Sequence, residues 1–168
     1  MKNFEFCLYT YKHRKAIEYL THKLIKDNDM KTAMLQRIRN HDLDKMAMYQ
    51  LLDKNEASRI HRETAPHHME NAFPKTKIDY IEAVLDYESA GYTKPDKPLN
   101  AYDTINKFEE KNLLDKETIA ELKTVLKELG IDSSYSVTED KEGMEYLSKF
   151  NTATEEEVKQ ELIEYLTR

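Results

Sequence analysis

The chain has 168 residues, enough for one domain with a real core and short for two. With 26 Lys and Arg against 32 Asp and Glu its formal charge is −6, which disfavours non-specific binding to nucleic acid or to an acidic membrane surface. A single cysteine, Cys7, argues against a disulfide framework or a Cys-rich zinc site. No apolar run approaches the ~18 residues of a membrane span and the start lacks a signal-peptide pattern, so a cytoplasmic protein is expected.

Three glycines and four prolines among many Glu, Lys and Leu favour helices over strands. A first helix is expected from about Phe6 to Lys26. Ile17, Leu20 and Leu24 follow helical spacing, and His13 lies four residues before Ile17 on the same face. His22 falls about half a turn away and should face water. A second helix, about Met30 to Asn40, has Met34 and Ile38 on its inner face. That face continues onto His41 and Asp42 and then to Met46 and Tyr49. In "HRETAPHHMENAF", Pro66 suits a first helical turn and Thr64 could cap it.

Lys77 to Ala90 reads as a further helix, with Ile78, Ile81, Val84 and Leu85 on one side. Asp86 lies off that face, with Ala83 and Ala90, so this helix needs two buried faces. "GYTKPDKP" (Gly91 to Pro98) is expected to end it as a loop. Asp115 opens and Gly130 stops an amphipathic helix, "SSYSVTEDKEG" reads as loop, and Thr154 with Glu157 forms a capping-box pattern for a last helix. The expectation is an all-α protein: a helical core over residues 1–92, then a helical extension over residues 99–168 that packs on it, together one structural domain.

The residues with chemistry cluster in order. Four of the six histidines fall between His41 and His68, His13 joins them from an inward face, and Asp86 follows. Imidazole and carboxylate are the usual ligands of Mn, Fe, Co, Ni and Zn. A buried ionised Asp42 costs several kcal/mol unless a cation compensates it, and Lys45 alone is a modest candidate. Adjacent His and Asp do not share one helical face, but they can reach one cluster if the helix ends or bends there. Taken singly, each residue has an ordinary explanation: His13 as a hydrogen-bonded core histidine, His61 as surface, His67 and His68 as helix-start residues. Neither a Gly-rich phosphate loop nor a G-x-G-x-x-G pattern occurs.

The order H…HD…H…HH…D resembles the HD-domain superfamily of metal-dependent phosphohydrolases, in its two-metal variant. "YKHRKAIEYL", "RNHDLDKM", "HRETAPHHMEN" and "IEAVLDYESAG" also resemble an HD-like family of bacteria and phages, over about residues 9–92. The resemblance implies an HD-like core in which His13, His41, Asp42 and Asp86 hold one divalent transition metal. Asp42 then bridges to a second ion held by His61 with His67 or His68, and Lys45 touches a substrate phosphate. The separation of His61 and His67, six residues, is short for the larger two-metal enzymes, which points to an incomplete site.

The implied activity is hydrolysis of a nucleotide or similar small phosphate ester by a metal-activated water. Two other readings use the same residues: an HD-type di-iron oxygenase, and a non-enzymatic, metal-stabilised interaction protein. The last is suggested by nine acidic against four basic residues from Glu139 to Arg168. Tyr49, Tyr87, Tyr92 and Tyr102 are candidates for stacking on a base, and Arg37, Arg39 and Arg62 for touching phosphate. A homodimer through the extension is a further expectation.

Overall fold

The computed structural model describes residues 1–94, 96 and 99–168. They form nine α-helices and two short 3-10 turns, with no strand among the described residues, so the fold is all-α. The helices are α1 (Phe4–Leu24), α2 (Asn28–Ile38), α3 (Leu43–Met48), α4 (Lys54–Thr64), α5 (Lys77–Thr93), α6 (Ala101–Glu110), α7 (Lys116–Glu128), α8 (Lys141–Ser148) and α9 (Glu155–Thr167). Most are short and marginal alone, and their starts are written into the sequence. Asp27, Asp53, Asn100, Asp115, Asp140 and Thr154 each accept a hydrogen bond from the amide three residues on. No helix among the described residues is long and apolar enough to cross a membrane.

α5 is the central element and packs against α1, α2, α6, α7 and α8. It is buried around its whole girth from Ile81 to Leu85 and again at Glu88 and Ser89, which supplies the second buried face that Asp86 requires. The apolar interior falls into two clusters. The larger joins Ile17, Leu20, Met34, Val84, Leu85, Ile105, Leu122 and Val125, so residues before 92 and after 99 share it. The smaller joins Cys7, Tyr11, Leu43, Met46, Ala57, Val158 and Leu162. α1 serves the smaller cluster with its first half and the larger with its second, and His13 lies at the seam between them.

Three local expectations are corrected. Thr64 does not cap a following helix: it is the last residue of α4, and its hydroxyl donates back to the Ile60 carbonyl at 2.8 Å. Pro66 disfavours helical backbone at Ala65, which is extended (ψ 128°), and residues 65–76 contain no helix. α5 continues beyond Ala90 to Thr93 because Gly91 is packed rather than punctuating. A Cβ there would come within 2.1 Å of the Leu99 carbonyl oxygen and 2.2 Å of Val137. Of the loop expected over Gly91 to Pro98, Lys94 and Asp96 are non-helical, while Pro95, Lys97 and Pro98 lie outside the described residues. Within the loop expected over 133–143, Val137–Glu139 form a 3-10 turn and α8 begins at Lys141. Asp140 anchors that corner, its Oδ2 accepting from Tyr19 at 2.9 Å, Tyr92 at 2.8 Å and Lys23 at 2.7 Å.

Candidate metal centre

α2 ends at Ile38, and the chain turns through Asn40 and His41 into Asp42, whose backbone is left-handed (φ 58°, ψ 7°). Asp tolerates this conformation better than most L-residues, for which it costs roughly 1–2 kcal/mol. Arg14 secures the turn from α1. Its guanidinium donates to the carbonyls of His41 (2.6 Å), Arg39 (3.1 Å) and Ile38 (3.4 Å), and to Glu161 of α9 (3.0 Å). These carbonyls would otherwise be unpaired at a helix C-terminus. The helix end and the left-handed residue together let neighbouring His41 and Asp42 point into one place.

The other residues arrive from three directions. His13 comes from the middle of α1 and His61 from the last turn of α4. His67 and His68 lie in the turn that follows, and Asp86 projects from α5. Because the chain leaves helix at Ala65, His67 folds back beside His61, their ring centroids 5.2 Å apart. The six-residue spacing therefore brings the two rings together.

The contacts have one polarity throughout. His13 Nε2 lies 2.7 Å from Asp86 Oδ1 and 3.3 Å from His41 Nε2. His41 Nε2 is 3.4 Å from Asp42 Oδ1 and 3.6 Å from Asp86 Oδ1. His61 and His67 turn Nε2 to Asp42 Oδ1 at 2.9 and 3.4 Å. The opposite nitrogen, Nδ1, is held from outside in every ring. Ser89 holds His13 (3.1 Å), Glu82 holds both His41 (2.8 Å) and His67 (3.4 Å), Asp44 holds His61 (2.7 Å) and Glu70 holds His68 (3.0 Å). Metal-binding histidines are arranged in this way, one nitrogen anchored to a carboxylate or other polar group and the other aimed at the ion.

Asp42 Oδ1, His61 Nε2 and His67 Nε2 are buried and make no hydrogen bond of acceptable geometry, although they converge. An unsatisfied buried polar atom costs about 1–3 kcal/mol, so three facing one another fit a cation. The donor atoms of His13, His41 and Asp42, of His41, His67 and Asp86, and of His61, His67 and His68 lie within 4.8 Å of one another in each set. These buried His/Asp groups could hold a metal ion.

The electrostatics agree. Burial opposes ionisation of Asp42, but His41, Lys45 and the nearby His61 and His67 hold its carboxyl well below the ordinary range. Burial likewise opposes ionisation of Asp86, which His13 and His41 bring well below it. Glu82, despite burial, is drawn down to about 2 by His41 and His67. Burial disfavours protonated His41 and His67, yet the surrounding carboxylates push them up to about 9 and about 10. Without metal, the carboxylates retain protons on the imidazoles, positions that a divalent ion can take over.

Two clefts reach the centre, and Asp42 lines both. One, of about 330 Å³, is bordered by Asn40, Asp44, His61, Thr64, His67 and Glu82. Arg37 also borders it, but its guanidinium is spent on Asp79 and on Glu82 (2.8 Å). The other, of about 240 Å³, is bordered by Tyr9, His13, Lys45, Asp86, Tyr87 and Lys94. A third cleft, of about 390 Å³, lies beyond Arg14 and holds Arg39, but none of the residues named from sequence as metal ligands.

The expected metal ligands are thus all brought together, with His68 the most exposed and Lys45 adjacent, its Nζ 3.4 Å from Asp42 Oδ2. Of the four tyrosines named from sequence, Tyr87 is the one that lines a cleft reaching the centre. Tyr49 and Tyr92 are buried, 4% and 5% exposed, and Tyr102 lines a cleft with Lys123 and Asp132. Arg62 is exposed on α4. The residues that sequence reasoning missed are the anchors Glu82, Asp44, Ser89 and Glu70, and Arg14. A signal existed for two of them: Glu82 and Ser89 lie four residues before and three after Asp86, on one face of α5. Compared with known proteins, the chain matches no family model, no curated protein and no solved structure.

Proposed function

We propose that the chain is a metal-dependent phosphohydrolase of the HD-domain type, acting on a nucleotide or a similar small phosphate ester. One observation carries the reading: five imidazoles and two carboxylates from four parts of the chain face a common centre with their outer nitrogens anchored. In this reading His13, His41, Asp42 and Asp86 form one ligand set. His61, His67 and His68 would form a second, with Asp42 shared between the two. Mn, Fe, Co, Ni or Zn suits such nitrogen and oxygen donors. A divalent ion there supplies a Lewis acid and lowers the pKa of a bound water from 15.7 toward ~7.

The chain's own groups do the rest. Glu82 and Asp44 keep the Nδ1 protons of His41 and His61 in place, so Nε2 stays available as a lone-pair donor. Lys45, 3.4 Å from Asp42 Oδ2 and open to the smaller cleft, is placed to hold a phosphoryl oxygen and offset its charge. Burial of Asp42 and His41 excludes bulk water, which strengthens these contacts.

The test is metal content by elemental analysis together with phosphate release from a panel of phosphate esters, for the parent and for His41→Ala/Asp42→Ala. Near-stoichiometric transition metal and phosphate release, both lost in the variant, are expected. An iron-loaded preparation that consumes oxygen and releases no phosphate would overturn the reaction. Absence of bound metal after incubation with each of the five ions would overturn the centre.

A further inference from the structure

The two clefts that meet at Asp42 differ in charge, and the difference assigns them different traffic. The larger cleft carries Asp42, Asp44 and Glu82, and its one arginine is neutralised by two carboxylates. Its carboxylates are partnered by imidazoles and Arg37, and no unpaired lysine or arginine lines it among the described residues, so an anion finds no free cation there. The smaller cleft carries Lys45 and Lys94 across from Asp42 and Asp86, the two carboxylates assigned to metal. Lys94 is exposed and makes no ion pair among the described residues; its Nζ stands 5.8 Å from the centroid of the Tyr9 ring. Coulomb attraction therefore steers an anion into this cleft.

The walls of the smaller cleft add a second selection. Tyr9 and Tyr87 are both half-buried and line it. The Tyr9 ring is parallel to that of His13 at 6.3 Å, and Tyr87 is braced edge-on by Phe108 at 5.4 Å. Braced aromatic faces at a cleft mouth favour a flat ring, by stacking. The volume, about 240 Å³, falls below the roughly 300–1,000 Å³ of pockets for drug-sized ligands. The cleft has room for a phosphate with one ring system.

We infer that the Tyr9–Tyr87–Lys94 cleft is the substrate entrance and that it takes a phosphate monoester of a small aromatic group, with Lys94 guiding the phosphate and the tyrosines stacking on the ring. This rests on the phosphohydrolase reading and deepens it by naming the substrate class and the residues that select it. Lys94 makes no hydrogen bond or ion pair with a candidate ligand among the described residues, so its role is separable from metal binding.

The experiment is calorimetric binding of two non-hydrolysable probes, phenylphosphonate and methylphosphonate, to metal-loaded protein, with metal per chain measured on each sample. The parent is expected to bind phenylphosphonate about fivefold more tightly than methylphosphonate, as one stacking contact supplies. Lys94→Ala should weaken both probes about fivefold, whereas Tyr87→Leu should weaken only phenylphosphonate. Tyr9→Leu provides the same comparison if Tyr87→Leu folds poorly, and metal content should match the parent throughout. Binding of both probes that Lys94→Ala and the tyrosine variants leave unchanged overturns this inference and leaves the phosphohydrolase reading standing. Failure of the metal-loaded parent to bind either probe overturns both.

Discussion

Replacing Glu82 by glutamine should weaken metal binding without unfolding the protein. Glu82 is 2% exposed, and one of its oxygens serves two imidazoles, His41 at 2.8 Å and His67 at 3.4 Å, while the other meets Arg37 Nε at 2.8 Å. Arg37 Nε is an ion-pair partner without hydrogen-bond geometry, and only a carboxylate offers a negative oxygen to both sides. Glutamine has the same shape but one acceptor, so its NH2 must face either Arg37 or the histidine pair, donor against donor. Loss of such an outer partner typically lowers metal affinity 10- to 100-fold, or about 1.4–2.7 kcal/mol. Competition against a chromogenic chelator for zinc or manganese reads this directly. Asp79→Asn is the control, because Asp79 pairs with Arg37 but touches no imidazole. It should lower stability with much less effect on metal affinity. A Glu82→Gln protein that folds and binds metal within about threefold of the parent would refute the positioning role.

Asp42→Asn keeps a residue type that tolerates the left-handed turn and removes the charge. Metal per chain should fall at least tenfold with helix content unchanged, and parental metal content would remove Asp42 from the ligand set. Chelation should lower the melting temperature of the parent, since metal at a thousandfold excess over its Kd stabilises by about 4 kcal/mol. Calorimetry with and without chelator checks this, and an unchanged Tm would contradict a built site. Gly91→Ala should destabilise the fold by about 1–3 kcal/mol by overpacking against Leu99 and Val137, measured by urea unfolding, with metal per folded chain unchanged. Asp140 gives a pH signature far from the metal. Burial opposes its ionisation, but Lys23, the Gly143 amide and two tyrosines draw its pKa down from 3.8 to about 2. A depressed carboxyl contributes stability above its unfolded pKa and loses it as pH falls toward the folded value. The parent should therefore lose about 2 kcal/mol between pH 5 and 2 that Asp140→Asn does not; equal slopes in the two unfolding series would refute the anchoring role.

The all-helical class was legible because helix propensity and 3.6-residue periodicity agree along the chain, and because caps such as Asp115 and Thr154 sit where the periodic runs begin. The candidate ligands were legible for a different reason. Histidine is rare here, with six in the chain, so four between positions 41 and 68 and one inward-facing partner stand out. Their anchors did not stand out. Glu82, Asp44 and Glu70 are three among 32 acidic residues, and only folding decides which of them meets an Nδ1. Pro66 misled in a local way. Proline suits a helix start, but it also ends the helix before it, and the Thr64 hydroxyl was already committed to Ile60. Gly91 misled similarly, since glycine stops a helix in solution yet inside a packed helix it makes room for a neighbouring backbone.

The Arg14 guanidinium has a consequence for the order of assembly. It braces the turn that presents His41 and Asp42, and it is itself held by Glu161 on α9. α9 supplies no ligand, but it reaches the same turn again through Arg168, which donates to Asn40. During synthesis the residues expected to bind metal are all made by Asp86, well before residue 155. The turn that aims two of them gains its outer brace only once α9 is in place. Metal capture at the candidate centre would therefore follow the docking of a helix that holds none of its ligands.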